Sequence, residues 1–275
     1  MGIVGLGLIG GSLGLDLRAA GVEVRALVHR ESTAERARAR GLADQVSTDP
    51  AVLAGCGLVV LALPLDRLLD PGPELRSALP PDAVVTDVGS VKQPIVERWG
   101  GWHRRFVASH PMAGTAAAGV DAGVAGLFRN RPWVATPDPR TDPAALQVVE
   151  ELATLLGARW LQCSAHDHDQ AVALISHMPV LVSAALVQAA DQGSAETGRL
   201  ARQLASSGFA DTSRIGGGNP ALGTLMARYN REAVLMALTL YRQQLEQLEQ
   251  LVNRQQWPEL RSNLERCQLL RAEFV

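Results

Sequence analysis

The sequence predicts an α/β domain with a parallel sheet over residues 1–163 and an all-α domain over residues 164–275. Three observations support this fold class. Short β-branched runs alternate with helical segments through the first half, which is typical of a parallel sheet covered by helices. A glycine-rich turn follows the first of these runs. From Ser164 onward the apolar residues recur at helical spacing and strand patterns stop.

Each strand of the α/β domain is predicted from a short apolar run that ends near a turn or a helix-start signal. Gly21 and Gly41 end the first two helices, and Asp49 with Pro50 begins a third. The predicted strands are 2–4, 22–28, 58–63, 83–87, 106–109 and 132–135, with an edge strand at 159–163.

Two long helices dominate the predicted all-α domain. Residues 165–190 are apolar on nearly every face, so we expect this helix to be buried at the domain centre and kinked at Pro179. A second helix, about 230–253, carries an apolar stripe at alternating steps of three and four residues. The stripe is either an ordinary core-facing surface or the seam of a homodimer, and we favour the homodimer. Its residues are Leu238, Tyr241, Leu245, Leu248 and Val252.

Composition limits the classes of function. Hydrophobic residues make up 47% and charged residues 20%, with a net charge of −2, so neither nucleic acid nor a membrane surface is an expected partner. Three isolated cysteines and an apolar N-terminus without a basic leader predict a cytoplasmic protein, and we expect no membrane-spanning segment. His166 and His168 are the nearest approach to a metal pair. Their side chains point apart on a helix, so no metal site is predicted.

The first predicted strand runs directly into the sequence GLGLIG. In a strand–turn–helix unit this pattern is the dinucleotide-binding fingerprint of Rossmann-type domains. The first glycine allows a tight turn, the second lets the backbone approach the pyrophosphate, and the third lets the helix pack on the strand. The N–H groups at the helix start then bind the phosphate charge. The predicted nucleotide-binding residues are Gly5, Leu6, Gly7, Leu8, Ile9 and Gly10.

The end of the second strand predicts NADP rather than NAD. NAD enzymes usually place a carboxylate there, about 20 residues after the fingerprint, to bind the ribose hydroxyl. Here a guanidinium, an imidazole and two hydroxyls occupy the segment and suit a 2′-phosphate, although Glu31 argues against it. Leu63 and Pro64, which follow the next central strand, are expected to pack beside the same cofactor. The residues assigned to the 2′-phosphate are His29, Arg30, Ser32 and Thr33.

Two further strand ends carry residues suited to catalysis, because the reacting centre of an open parallel sheet lies at the carboxyl ends of its strands. Ser90 follows one of them and is also expected to contact the cofactor. His110, held between a strand end and Pro111, is the best-placed general base among the six histidines. His177 is either a hydrogen-bonded core group or a substrate contact. Lys92 is the only lysine among 26 basic residues, which makes it a site candidate, although chance explains it equally well.

Four motifs resemble the prephenate/arogenate dehydrogenase family of tyrosine biosynthesis. They are DVGSVK at 87–92, HPMAGT at 110–115, ISHMP at 175–179 and DTSRIGGGNP at 211–220. The pattern is most similar to the NADP-dependent, arogenate-specific branch. The resemblance implies oxidative decarboxylation of arogenate to tyrosine, in which hydride leaves C4 for NADP+, His110 takes the 4-hydroxyl proton, and loss of CO2 gives the aromatic ring.

The resemblance also implies roles for individual residues. Ser90 would bond to His110 or to the substrate hydroxyl and hold the imidazole in its productive tautomer. Arg214 would bind a substrate carboxylate through its two-pronged guanidinium. His177 and Thr115 would line the substrate pocket.

Three alternatives stay open on sequence alone. In the first alternative the substrate is prephenate, which has a keto group where arogenate has an amine, and the product is 4-hydroxyphenylpyruvate. In the second alternative the chain is another two-domain NADP enzyme, such as a hydroxyacid dehydrogenase or an imine reductase. These enzymes are not expected to combine the motifs around His110 and Arg214. Last, it is a non-catalytic NADP sensor on the same fold, which would need no base at a strand end.

Overall fold

The computed structural model describes residues 1–115 and 117–274. Six short strands form one parallel sheet, with strand order β3-β2-β1-β4-β5-β6 once they are numbered along the chain. The chain therefore starts in the middle of the sheet and winds outward in both directions, which confirms the predicted parallel α/β architecture. The strands are β1 (Gly2–Val4), β2 (Arg25–Leu27), β3 (Gln45–Ser47), β4 (Leu58–Leu61), β5 (Val84–Asp87) and β6 (Phe106–Val107).

Register aligns the carboxyl ends of the four central strands. Val4 pairs with Leu27 on one side and with Leu61 on the other, and Leu61 pairs with Asp87. These four residues are the last of their strands. The segments that follow them, including the glycine turn after β1, therefore begin side by side along one edge of the sheet.

Apolar clusters lie on both faces of this sheet, as a parallel sheet covered by helices requires. Ile3 and Val60 belong to one cluster, and Val4 and Val59 belong to the other. Asp142 caps α6, because its carboxylate accepts a hydrogen bond from Ala144 N at 3.0 Å. The helices of this part are α1 (Leu8–Ala19), α2 (Glu31–Ala39), α3 (Leu65–Leu69), α4 (Pro73–Ala78), α5 (Gln93–Trp99) and α6 (Pro143–Leu155).

A second, three-stranded sheet corrects part of the prediction. It contains β7 (Ser109–Pro111), β8 (Pro132–Ala135) and β9 (Arg159–Gln162), with β7 antiparallel and β9 parallel to β8. The predicted single strand at 106–109 is wrong, because the chain leaves the main sheet after Val107 and joins the second sheet at Ser109. The predicted edge strand at 159–163 likewise belongs to the second sheet.

From Ala165 to the end of the described chain every element is helical. Ser164 caps α7, since its hydroxyl accepts a hydrogen bond from Asp167 N at 3.0 Å. Pro179 has no N–H to donate, and the distortion expected there takes the form of a π-helical turn, Ala173–His177. The helices are α7 (Ala165–Val172), α8 (Met178–Asp191), α9 (Ala195–Leu204), α10 (Ser207–Ser213), α11 (Pro220–Tyr229), α12 (Arg231–Asn253) and α13 (Trp257–Phe274).

The expected central burial of residues 165–190 is wrong for a single chain. Within α8 only Ser183 is buried, and α13 has no buried residue. In the predicted stripe on α12, Leu245 and Val252 are exposed, and the other three residues are half-buried. Exposed apolar surface on this scale marks an interaction face. Its exposed members include Leu174, Ile175, Val187, Leu235, Met236, Leu240, Leu245, Val252, Trp257, Leu264, Leu269 and Phe274.

The continuous helical stretch Ala165–Asp191 is long and apolar enough, by length and composition alone, to cross a membrane, with a mean hydropathy of 1.8 over its most apolar window. Length and composition alone therefore do not rule out a spanning segment here. Its first two turns carry His168 and Asp169, which are buried and bond to residues of the α/β part. This end of the stretch packs against protein.

Candidate active site

The glycine turn after β1 has the shape that the fingerprint predicts. Gly5 has a φ of +92°, a conformation that side chains rarely adopt, and a Cβ there would collide with the Ala62 carbonyl. A Cβ on Gly10 would collide with the Gly5 carbonyl, so α1 can pack this closely only without a side chain at that position. In contrast, a Cβ on Gly7 would meet nothing within 4 Å. The space beside Gly7 is open at the N-terminus of α1, which fits a pyrophosphate.

The segment after β2 is exposed where a cofactor ribose would lie. His29, Arg30 and Ser32 are exposed, and Arg30 Nε lies 3.0 Å from His29 Nε2. The carboxylate of Glu31 accepts a hydrogen bond from Arg38 Nη1 at 2.6 Å, so it is engaged along α2. The half-buried Thr33 completes the first turn of α2, while Leu63 packs beside the glycine turn and the exposed Pro64 follows it.

Lys92 forms a buried ion pair at the end of β5. Its ammonium donates to the Asp87 carboxylate and, at 2.7 Å, to the Ser109 carbonyl. Asp87 also accepts hydrogen bonds from Gly89 N and Ser109 N. Burial lowers the pKa of Lys92, and the charge of Asp87 opposes that shift. Lys92 thus ties β5 to the residue that precedes His110, and this is the structural role that its isolation in the sequence did not reveal.

His110 is joined to two residues of α7. Its Nδ1 lies 2.9 Å from His168 Nε2, and His168 Nδ1 lies 2.8 Å from Asp169 Oδ1. Asp169 also accepts hydrogen bonds from the backbone N–H groups of Lys92 and Gln93, at 2.7 and 2.8 Å. An ionised Asp169 only accepts hydrogen bonds, so His168 Nδ1 carries a proton.

This chain of contacts determines the tautomer of His110. With His168 neutral, its Nε2 is an acceptor, and His110 Nδ1 must donate to it. The lone pair of His110 then lies on Nε2, which makes no hydrogen bond to any residue in the described ranges. Burial lowers the pKa of His110 well below its ordinary value, and the fields of His168, Lys92 and His177 lower it further. His110 is therefore a neutral imidazole with a free lone pair at neutral pH.

Ser90 does not hold the tautomer of His110, which corrects the role that the family resemblance implied. The partner of His110 Nδ1 is His168, and no hydrogen bond joins Ser90 to His110 in the described chain. Ser90 is half-buried and its carbonyl lies close enough to His177 to affect the pKa of that ring. The alternative contact, from Ser90 to the substrate hydroxyl, stays a prediction.

Sequence reasoning missed His168 and Asp169 as parts of this site. His168 was considered only as a metal ligand, and no group of three or more metal-ligating side chains occurs among the described residues. The one sequence signal was Ser164, whose cap places His168 and Asp169 at the start of a helix. The contact between His168 and His110 joins residues 58 positions apart and has no local pattern.

His177 lies in the π-helical turn and is 2% exposed. Its Nδ1 lies 3.1 Å from Asn230 Nδ2, and its Nε2 is buried without a partner. Burial lowers the pKa of His177 to about 4, an effect that the charge of Asp169 partly opposes. The structure therefore brings Ser90, His110 and His177 into one neighbourhood with His168.

Arg214 and Thr115 are the remaining residues that the sequence assigns to substrate binding. Both are exposed, and neither makes a hydrogen bond to a site histidine among the described contacts. The segment after Arg214 is pinned to α8, because Gly216 N donates to Ser183 Oγ at 2.9 Å and a Cβ on Gly216 would collide with the backbone of α8. Arg214 thus leads into a rigid, close-packed turn on the helical domain.

Comparison with known proteins matches both parts of the chain to one family. Residues 13–162 match "Prephenate dehydrogenase, nucleotide-binding domain", and residues 164–266 match "Prephenate dehydrogenase, dimerization domain". The chain belongs to the prephenate dehydrogenase family. The protein is therefore an oxidoreductase that uses a pyridine nucleotide cofactor, and the glycine turn described above fits that cofactor.

Individual relatives include enzymes for both candidate substrates. The chain is 45% identical to Synechocystis arogenate dehydrogenase, with a TM-score of 0.83 and coverage of 100% of this chain and 99% of that one. It is 28% identical to a prephenate dehydrogenase from A. aeolicus in complex with hydroxyphenyl propionate and NAD+, with a TM-score of 0.92 and coverage of 100% and 97%.

A third relative is longer. Over 245 residues the chain is 30% identical to the prephenate dehydrogenase of Bacillus subtilis. The matched region spans 85% of this chain and 64% of the Bacillus protein.

Proposed function

We propose that the protein is an NADP-dependent arogenate dehydrogenase, which converts arogenate to tyrosine by oxidative decarboxylation. The observation that carries this proposal is the chain from Asp169 through His168 to His110, which leaves a lone pair on His110 Nε2. The 45% identity to Synechocystis arogenate dehydrogenase favours arogenate over prephenate. We also propose a cytoplasmic location and a homodimer, the latter supported by the exposed apolar face of α8, α12 and α13 and by the dimerization-domain match.

His110 is the proposed general base. An alcohol that loses hydride must also lose its hydroxyl proton, and a neutral imidazole near pH 7 accepts it well. When Nε2 takes that proton, Nδ1 still donates to His168, and His168 still donates to the Asp169 carboxylate. The positive charge that forms on His110 therefore meets a polarised chain that ends in a buried negative charge. The positive charge of Lys92 repels a positive charge on His110, and the negative charge of the paired Asp87 weakens that repulsion.

The cofactor would be held by the glycine turn, with its pyrophosphate beside Gly7 and its ribose near Arg30. When bound, the nicotinamide supplies the acceptor for the hydride that leaves C4 of the substrate. The chain supplies the proton acceptor and orients the ring. We further propose that Arg214 and Thr115 bind the substrate and that Ser90 contacts its 4-hydroxyl.

Replacing Arg30 with alanine should lower kcat/KM for NADP about 10–100-fold and leave kcat/KM for NAD little changed, because only NADP has the 2′-phosphate that a guanidinium binds. Initial rates of cofactor reduction measure both values. Arg104→Ala, an exposed arginine next to β6, is the control and should change neither. An equal loss with both cofactors would show that Arg30 does not read the 2′-phosphate.

Arg214→Ala should raise the KM for arogenate about 10–100-fold with a smaller change in kcat, as expected for the loss of a charge-assisted bond to a substrate carboxylate. Steady-state kinetics at saturating NADP give both constants. Arg199→Ala, another exposed arginine of the helical domain, should match the parent protein. An unchanged KM in Arg214→Ala would remove this residue from the substrate pocket.

The function is tested by following NADPH formation with arogenate and with prephenate, side by side, and repeating both with NAD. We expect the highest kcat/KM for arogenate with NADP. A higher value for prephenate would make the protein a prephenate dehydrogenase, which is the second candidate function. The Bacillus subtilis relative is named as an enzyme of that kind. Cofactor binding without turnover of either substrate would instead indicate a non-catalytic sensor.

A further inference from the structure

His177 presents a buried nitrogen that makes no well-formed hydrogen bond to another described residue, although the Ser90 carbonyl lies near the ring. The side chain is 2% exposed, yet Nε2 has no hydrogen-bond partner. A buried polar atom without a partner costs about 1–3 kcal/mol, so its retention calls for an explanation such as a ligand. The ring lies close enough to His110 for its field to affect the pKa of that base. The unsatisfied nitrogen therefore belongs to the neighbourhood where the substrate would react.

Asn230 determines which nitrogen of His177 carries the proton. Asn230 Nδ2 donates a hydrogen bond to the backbone carbonyl of Asp169 at 2.7 Å. Of the two polar groups of the amide only the NH2 can donate, so the orientation of this amide is set. The same Nδ2 lies 3.1 Å from His177 Nδ1. Because Nδ2 donates, His177 Nδ1 must accept. A neutral His177 then carries its proton on Nε2, the nitrogen without a partner.

The two histidines thus reach the site in opposite forms. His110 offers a lone pair on Nε2, and His177 offers an N–H on Nε2. Burial lowers the pKa of His177 to about 4, so this donor is neutral at physiological pH. A neutral imidazole with a lowered pKa is suited to polarising a carbonyl oxygen as charge develops on it, as in triosephosphate isomerase. A hydroxyl oxygen can give its proton to one such ring and accept a hydrogen bond from the other.

We propose that Asn230 is a positioning residue that holds His177 as an Nε2–H donor, and that this N–H binds the oxygen on C4 of the substrate. This inference rests on the proposed function for the identity of that oxygen. During oxidation the hydroxyl proton passes to His110 Nε2, the C4–H pair leaves as hydride to the nicotinamide, and the C–O bond becomes a carbonyl. The carbonyl oxygen then accepts electron density as the ring carboxylate leaves as CO2, and the His177 N–H stabilises the resulting phenolate. The proton held on His110 Nε2 returns to this oxygen and gives the phenol.

The kinetic test uses two substitutions of His177. His177→Gln keeps an N–H near the position of Nε2, and we expect kcat within about 5-fold of the parent. His177→Leu removes the donor, and kcat should fall about 100-fold with little change in KM for arogenate, as for the loss of one oxyanion donor. His166→Leu, an exposed position on α7, is the control. A kcat for His177→Leu within about 3-fold of the parent, or a loss confined to KM, would overturn the proposal.

Two measurements stand apart from turnover. In ¹⁵N-histidine spectra, His177 should be protonated on Nε2 in the parent protein, and on Nδ1 in Asn230→Asp, where a carboxylate replaces the donor. A parent His177 protonated on Nδ1 contradicts the role of Asn230, whether or not any variant folds.

The second measurement uses the NADP-saturated protein with L-tyrosine and L-phenylalanine, which differ only by the C4 oxygen. Tyrosine should shift the His177 Nε2 signal and phenylalanine should not. If the parent turns over neither arogenate nor prephenate, the proposed function fails, while the spectra still decide the tautomer. If turnover occurs and the two ligands shift the signal equally, the contact with the C4 oxygen is wrong.

Discussion

Replacement of His110 by asparagine is expected to lower kcat about 10²–10⁴-fold while NADP binding stays unchanged. Asparagine preserves a hydrogen-bonding group near the position of Nδ1, so the contact with His168 can persist. It has no basic nitrogen at the position of Nε2, and the hydroxyl proton has no acceptor. Stopped-flow or steady-state NADPH formation measures the rate, and calorimetric titration measures cofactor binding.

His166→Asn is the matched control for this substitution, because His166 is exposed on α7 and lies two residues from His168. It should keep nearly full activity. If His110→Asn also kept near-normal turnover, His110 would not be the base. If the variant lost NADP binding as well, the substitution would have disturbed the carboxyl edge of the sheet rather than the chemistry alone.

Lys92→Met should lower the free energy of unfolding by about 3–5 kcal/mol, because it leaves the Asp87 carboxylate buried without its counter-charge. Both side chains of this pair are fully buried. The loss should appear as a lower denaturant midpoint with an unchanged slope. Activity should also fall, since Lys92 holds the backbone of Ser109 immediately before His110.

An exposed ion pair supplies the control for Lys92. Arg104 and Asp82 pair on the surface with side chains 74% and 84% exposed. Arg104→Met should change the free energy of unfolding by less than about 1 kcal/mol. Adding Asp87→Asn to Lys92→Met should recover part of the stability, because the double variant no longer buries a lone charge. A loss below 1 kcal/mol in Lys92→Met would show that Asp87 is not an unpaired carboxylate in that variant.

Local chemistry made most of the α/β part predictable. Buried parallel strands need apolar residues on both faces, and runs such as 58–63 and 83–87 show them directly. β3 was missed because Gln45–Ser47 contains a single apolar residue, Val46, which gives no pattern to detect. The change of sheet after Val107 was missed for a different reason. Which strand a segment pairs with depends on partners elsewhere in the chain.

The helix at 165–190 shows a limit of composition. Its apolar character predicted that the helix is shielded from water, and we expected other parts of the same chain to bury it. In the structure most of α8 is not buried by its own chain, so the apolar face has to be explained by a partner. Periodicity reports which residues avoid water, but it does not report which molecule excludes that water.

The glycine turn and the cap of α7 were determined by the sequence itself, because each depends on residues within a few positions of one another. His110, expected at the end of a strand, instead lies in the middle of β7. Only the tertiary structure decided which tautomer His110 and His177 adopt. His110 meets His168 across 58 residues, and His177 meets Asn230 across 53. The tautomer of an imidazole is set by the partner of its other nitrogen. That partner is chosen by tertiary packing, between the two domains for His110 and within the helical domain for His177, rather than by any pattern along the chain.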